Sequence, residues 1–253
     1  MKMKNYFKII ALTAILTVVG CSNTKLYESW SAEKKMNRAN KFYEKGKFSK
    51  AAELYELVVF ERNLSETAFA QMRLANCYFN DKKYLEARIE YQELIKLFPD
   101  YDEIATAQYR IGLCYMYDSL DPHYTQEETV LAIEAFETFL ERFPSDTRRT
   151  EVFEYLKEMN YKLLTARYYR GYIYYRMQDF SSALLYLNEI IELGNHDELE
   201  ENSLYYKSKI YLYRKDAQAV LRSLERMKGY FPDSKKTRKI EKEYNKLLKK
   251  LES

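Results

Sequence analysis

The stretch Ala68–Pro99 reads AFAQMRLANCYFNDKKYLEARIEYQELIKLFP, and its spacing decides the fold. Small Ala75 is followed by Tyr78, and a second small residue, Ala87, is followed by Tyr91 and Leu94 before Pro99 closes the run. Apolar residues three or four apart share one face of a helix. A small residue on that face lets a second backbone approach, and the bulky residue one turn away fills the space beside it. Two such faces separated by the polar run Asn80–Lys83 predict two antiparallel helices joined by a tight turn. Pro99 ends the second helix, because proline cannot continue one.

The frame recurs at intervals of about 36 residues. The first copy has Ala39, Phe42, Gly46, Phe48, Ala51, Tyr55 and Val58, without a closing proline. The third has Gly112, Tyr115, Ala132, Phe136, Phe139 and Pro144, with a longer turn around Asp118–Glu128. The fourth has Gly171, Tyr174, Phe180, Ala183, Leu187 and Ile190, with Asn195 at the proline position. The fifth has Ser208, Tyr211, Val220, Leu224, Met227 and Pro232. No break signal precedes the fourth copy, so its first helix is expected to be long, about 149–177. The tail KKTRKIEKEYNKLLKKL places Ile240, Tyr244, Leu247, Leu248 and Leu251 at helical spacing and reads as a capping helix. Its basic face meets a partner, lipid headgroups or only solvent. The pattern resembles the tetratricopeptide repeat. The expected fold is all-α: a solenoid of five helix-turn-helix repeats with a C-terminal capping helix.

Composition agrees with this reading. Six Gly and four Pro cannot punctuate a β-sandwich or barrel, and 47% hydrophobic residues are enough for a core. Gly46 is expected in a turn, Gly112 and Gly171 where helices cross closely, and Gly194 and Gly229 at helix ends. No glycine-rich phosphate loop occurs, and two His and three Cys are too scattered for a zinc site. His123 and His196 lie in polar loop sequence with no nucleophile motif, so neither catalysis nor a cofactor is expected. Cys77 and Cys114 occupy equivalent repeat positions and read as small core residues, or as a pair in an oxidising compartment.

The N-terminus is a targeting segment. Lys2, Lys4 and Lys8 precede an apolar run, Ile9–Val19, too short to span a bilayer and right for a secretory signal. These three lysines account for the whole net charge of +3; beyond residue 20 acids and bases balance, which argues against nucleic acid. The run ends Val18-Val19-Gly20-Cys21, which resembles a bacterial lipobox; the other reading is an ordinary signal peptide containing a cysteine. The lipobox implies cleavage before Cys21, acylation of its thiol, and, with Ser22 following, an outer-membrane anchor facing the periplasm. The expected organisation is a signal peptide (1–20), a lipidated tether (21–31), five repeats (32–234) and a capping helix (235–253). Trp30 ends the tether and anchors it to the first helix or the membrane interface.

In such solenoids the first helices of the repeats line the concave face. Counting outward from the packing positions gives Met36, Asn40 and Tyr43 in the first repeat. The second gives Phe69, Met72, Asn76 and Phe79, and the third Tyr109, Leu113 and Met116. Carboxylate-clamp repeats use Asn at the Asn40 and Asn76 positions with a nearby Lys; here Met36 and Met72 stand where that Lys would be. A Met- and aromatic-rich groove with Asn hydrogen bonders suits an extended apolar or aromatic peptide. For Met72 and Leu113, packing against the next repeat is the equal alternative.

Repeats, lipobox, the Phe98-Pro99-Asp100, Phe143-Pro144-Ser145 and Phe231-Pro232-Asp233 ends, the long third turn with Asp121 and the long fourth-repeat helix together resemble the BamD family. These are the tetratricopeptide lipoproteins of the outer-membrane β-barrel assembly machinery. The chain departs from that family at Gly194-Asn195-His196, where an aromatic–proline pair is usual. The resemblance implies C-terminal repeats that bind a BamA-like barrel insertase and other assembly lipoproteins. It also implies an N-terminal groove for the C-terminal segments of unfolded outer-membrane proteins. Other tetratricopeptide lipoproteins share anchor and repeats: pilotins of secretins or pili, and cell-wall hydrolase adaptors.

Overall fold

The computed structural model describes residues 27–62 and 64–252. The signal segment, Cys21 and most of the tether therefore lie outside the described residues. Eleven helices follow one another without a strand among the described residues: α1 Ala32–Glu44, α2 Phe48–Glu61, α3 Leu64–Asn80, α4 Tyr84–Leu97, α5 Ile104–Asp118, α6 Glu127–Arg142, α7 Arg149–Arg176, α8 Phe180–Leu193, α9 Glu198–Tyr213, α10 Ala217–Tyr230 and α11 Lys235–Leu251. The chain forms two compact units. One comprises residues up to Asp118 together with Leu131–Val152; the other comprises Ser119–Val130 and the chain from Phe153 onward.

The repeat frame is the core. The small positions Ala39, Ala75, Gly112, Gly171 and Ser208 are all buried. So are their partners on the second helices: Ala51, Ala87, Ala132, Ala183 and Val220, then Tyr55, Tyr91, Phe136, Leu187 and Leu224. The close approach expected at Gly112 is real, since a Cβ there would sit 2.5 Å from the Phe136 ring.

Four of the hairpin turns share one backbone design. The residue seven after each small position, Gly46, Lys82, Gln178 or Lys215, is left-handed (φ 67°, 59°, 63° and 58°). The next amide then reaches back to the carbonyl of Phe42, Tyr78, Tyr174 or Tyr211 at 2.9–3.0 Å. This is the Schellman closure, which satisfies helix carbonyls that would otherwise be orphaned. Gly229 does not act as a cap: it lies inside α10, whose last turn is closed by the Phe231 amide on Met227.

In the first unit the buried Lys35 of α1 pairs with Glu61 of α2 and reaches the Glu28 carbonyl at 3.4 Å. Trp30 packs edge-on against Tyr27 with the Lys34 ammonium over its ring, tying the tether to α1. In the second unit the long turn folds against α7. Lys162 donates to Ser119 Oγ at 2.6 Å, and the His123 ring lies 3.7 Å from that of Tyr169.

Where the fourth repeat lacks its proline, charge closes the turn. Gly194 caps α8 in the left-handed region, and the fully buried Glu200 carboxylate accepts from the His196 amide at 2.8 Å. Arg226 grips the other oxygen of that carboxylate through Nε and Nη2 and also reaches the Ile191 carbonyl. The His196 ring stacks on Tyr230 at 3.6 Å. Helix α11 seals the unit: Ile240 and Leu247 are buried, and Tyr244 packs on the same core as Leu224 and Met227.

Candidate peptide-binding surface

The expected groove residues all fall on α1, α3 and α5, in the first unit, and apart from half-buried Asn40 they separate into two sets. Met36, Met72, Asn76 and Leu113 are buried and are not offered to a ligand. Met36 joins the core between α1 and α2, and Met72 joins the next core, with Tyr91 and Leu94. The reason for Asn76 is specific. Its Oδ1 accepts the Tyr91 hydroxyl at 2.6 Å and also receives Arg110 Nη1. Asn40 does the same for Tyr55 at 2.6 Å. A buried phenol needs an acceptor, so these asparagines complete the core and are not spare hydrogen bonders. In the third repeat both partners are apolar, Leu113 and Phe136.

The second set is half-buried and mostly aromatic: Tyr43, Phe69, Phe79 and Tyr109, together with Met116 of α5. Guanidinium groups lie against these rings. Arg73 sits 5.0 Å from the centres of both Tyr43 and Phe69, and Arg110 sits 5.2 Å from that of Phe79. Arg148 sits 5.0 Å from Tyr109. Phe79, Tyr84 and Tyr117 form a ring cluster with centroids 5.2–6.0 Å apart. Asp146 fixes Arg148 through Oδ1 and Oδ2 at 2.7–2.9 Å, and those bonds hold its carboxyl below the ordinary range.

Sequence counting missed the arginines. Arg73 and Arg110 both stand two residues before the small position of their repeats, Ala75 and Gly112. That shared register was the available signal. It places a cation one residue after Met72 and one after the equivalent Tyr109. The same counting passed over the second unit, where Tyr172, Tyr175 and Tyr206 form a ring cluster. A cavity of about 540 Å³ beside it is lined by Tyr175, Phe180 and Tyr213 with Arg176 and Lys209.

Among the described residues no group of three metal-ligating side chains converges, and no helix is long and apolar enough to cross a membrane. Cys77 and Cys114 are free and buried, and burial pushes both thiols up to about 12, which makes them inert.

Family profiles described as tetratricopeptide repeat match residues 36–102, 106–146 and 165–193, together more than half of the chain. The chain belongs to the tetratricopeptide-repeat family and is an all-α repeat solenoid with a C-terminal helix. No curated protein matches it. It is similar in structure to the TPR2AB domain of yeast Sti1 in a complex with pHSP90, at 15% identity and a TM-score of 0.41, covering 85% of this chain and 98% of that one. A second similar structure is PilF of Pseudomonas aeruginosa, at 17% identity and 0.34, covering 84% and 82%. A third is a tetratricopeptide repeat protein of Parabacteroides merdae, at 12% and 0.40, covering 84% and 98%. Proteins of this repeat family are generally non-enzymatic scaffolds for protein–protein interaction.

Proposed function

We propose that this adaptor is a lipid-anchored periplasmic scaffold of outer-membrane protein assembly. It binds a BamA-like barrel insertase and receives the C-terminal segments of unfolded barrel clients. The observation that carries the reading is the surface of the first unit, where Arg73 and Arg110 lie against Tyr43, Phe69 and Phe79. Rings pack against aromatic side chains and guanidinium groups donate to carboxylates, so the pair suits a chain end that is aromatic and carries a free carboxylate. The lipobox at Cys21 supports the location, and no step of bond chemistry is involved.

Two measurements test it. Depletion should lower the level of outer-membrane barrels while other lipoproteins persist, and the insertase should co-purify with the chain. A photoreactive residue at Phe79 should cross-link to client C-termini. Co-purification of a secretin or a cell-wall hydrolase, with barrel levels unchanged, would instead identify an adaptor of those systems.

A further inference from the structure

Helix α11 carries eight basic side chains against two acidic ones. Its apolar row, Ile240, Tyr244 and Leu247, is used in the core of the second unit. The charges beside that core are used too. Lys236 pairs with Glu201 at 2.9 Å, Glu243 with Lys209 at 2.7 Å, and Glu241 with Lys228. Lys239 lies over the Tyr205 ring. A second row remains: Arg238, Lys242, Lys246 and Lys249, all exposed, with neutral Asn245 between them and Glu241 alongside, its carboxylate taken by Lys228. Steps of four, four and three residues put them on one helix face, along roughly 16 Å of axis. None of the four has an acidic partner among the described residues.

We propose that this row docks the chain on an anionic phospholipid surface, each cation against a headgroup phosphate. Protein partners fit it poorly: protein interfaces are depleted in lysine and depend on buried aromatic or arginine anchors, and this row has no aromatic member. A nucleic-acid duplex offers the same phosphates, but the lipobox-like segment Val18–Cys21 would bring a membrane beside the chain, and the experiment below separates the two. Headgroups ask only for cations at the surface, and a row of four on a helix supplies them. With the apolar face of α11 committed to the core, the contact is electrostatic and shallow. Leu251, 56% exposed at the helix end, adds a single apolar touch. The inference rests on the anchored reading of the N-terminus for bringing a membrane near, and the experiment separates the two.

The full chain is sedimented with vesicles of pure phosphatidylcholine and with vesicles containing about 30% phosphatidylglycerol. Binding should be stronger to the anionic vesicles by about a thousandfold at low salt, and the difference should vanish at about 0.5 M salt. The variant R238Q/K242Q/K246Q/K249Q should lose the difference with unchanged helical circular dichroism, and K242R/K246R/K249R should keep it. Equal binding to both vesicles by the parent chain overturns the row while leaving the anchor intact. Binding to anionic vesicles alone supports the row without the anchor. A difference that survives the four glutamines, or binding to neither vesicle, overturns the proposal. So does retention of a short DNA duplex through the same four residues without a vesicle preference.

Discussion

Asn40 and Asn76 are the side chains whose roles change most between pattern and structure. Each accepts a hydrogen bond from the buried hydroxyl of a tyrosine fifteen residues on. Replacing Asn40 by Leu should leave the Tyr55 hydroxyl buried without an acceptor and cost about 1–3 kcal/mol in urea denaturation. Adding Tyr55→Phe should recover part of that loss, because no hydroxyl is then stranded. If the two changes simply add, the pair is not coupled. Gly112 tests sterics in the same way. A methyl at 2.5 Å from the Phe136 ring must displace it, so Gly112→Ala should destabilise by about 1–3 kcal/mol, and Phe136→Leu should relieve it. The sequence made Gly112 legible, because a small residue at a helix crossing has one purpose. It left the asparagines ambiguous, since an amide on the inner face of a helix serves a ligand or a neighbour equally well. Only the companion positions, tyrosine opposite Asn and phenylalanine opposite Leu113, could have distinguished them.

At the scale of elements, turns carry the information. Lys82, Gln178 and Lys215 hold the left-handed conformation that Gly46 adopts without strain. A side chain there costs about 1–2 kcal/mol, offset in part by the extra freedom of glycine in the unfolded chain. Gln178→Gly should therefore raise the thermal midpoint modestly, and a fall would mean the side chain is needed for contacts. The loop before α7 has a pH signature. Arg148 lowers the Asp146 carboxyl in the fold, so this stabilisation is fully present above the unfolded value near 4 and is lost as pH falls through the folded one. Asp146→Asn should cost about 1–2 kcal/mol at neutral pH and progressively less in acid. Equal losses at pH 7 and pH 3 would assign the effect to the loop alone. The long helix α7 was readable from the absence of breakers. The turn after α8 was not: its closure by Glu200 and Arg226 joins residues 26 apart, and no local motif announces that.

At the scale of the molecule, each unit is a short stack in which helices support their neighbours, so damage should stay near its source. Arg226→Met leaves Glu200 buried without its cation, a loss of about 3–5 kcal/mol. Hydrogen exchange should then quicken in α8–α11 while α1–α4 keep their protection. Uniform quickening would mean that the two units unfold as one. The Asn–Tyr pairing has a consequence for how such a chain can be rebuilt. The first two repeats carry matched halves of one lock, Asn40 with Tyr55 and Asn76 with Tyr91, so their first helices are interchangeable parts in this respect. The third repeat, with Leu113 and Phe136, is cut to a different key. A recombinant that puts α5 in the place of α3 would press Leu113 onto the Tyr91 hydroxyl where Asn76 now accepts it, so shuffling between these repeats succeeds only when both helices of a hairpin travel together.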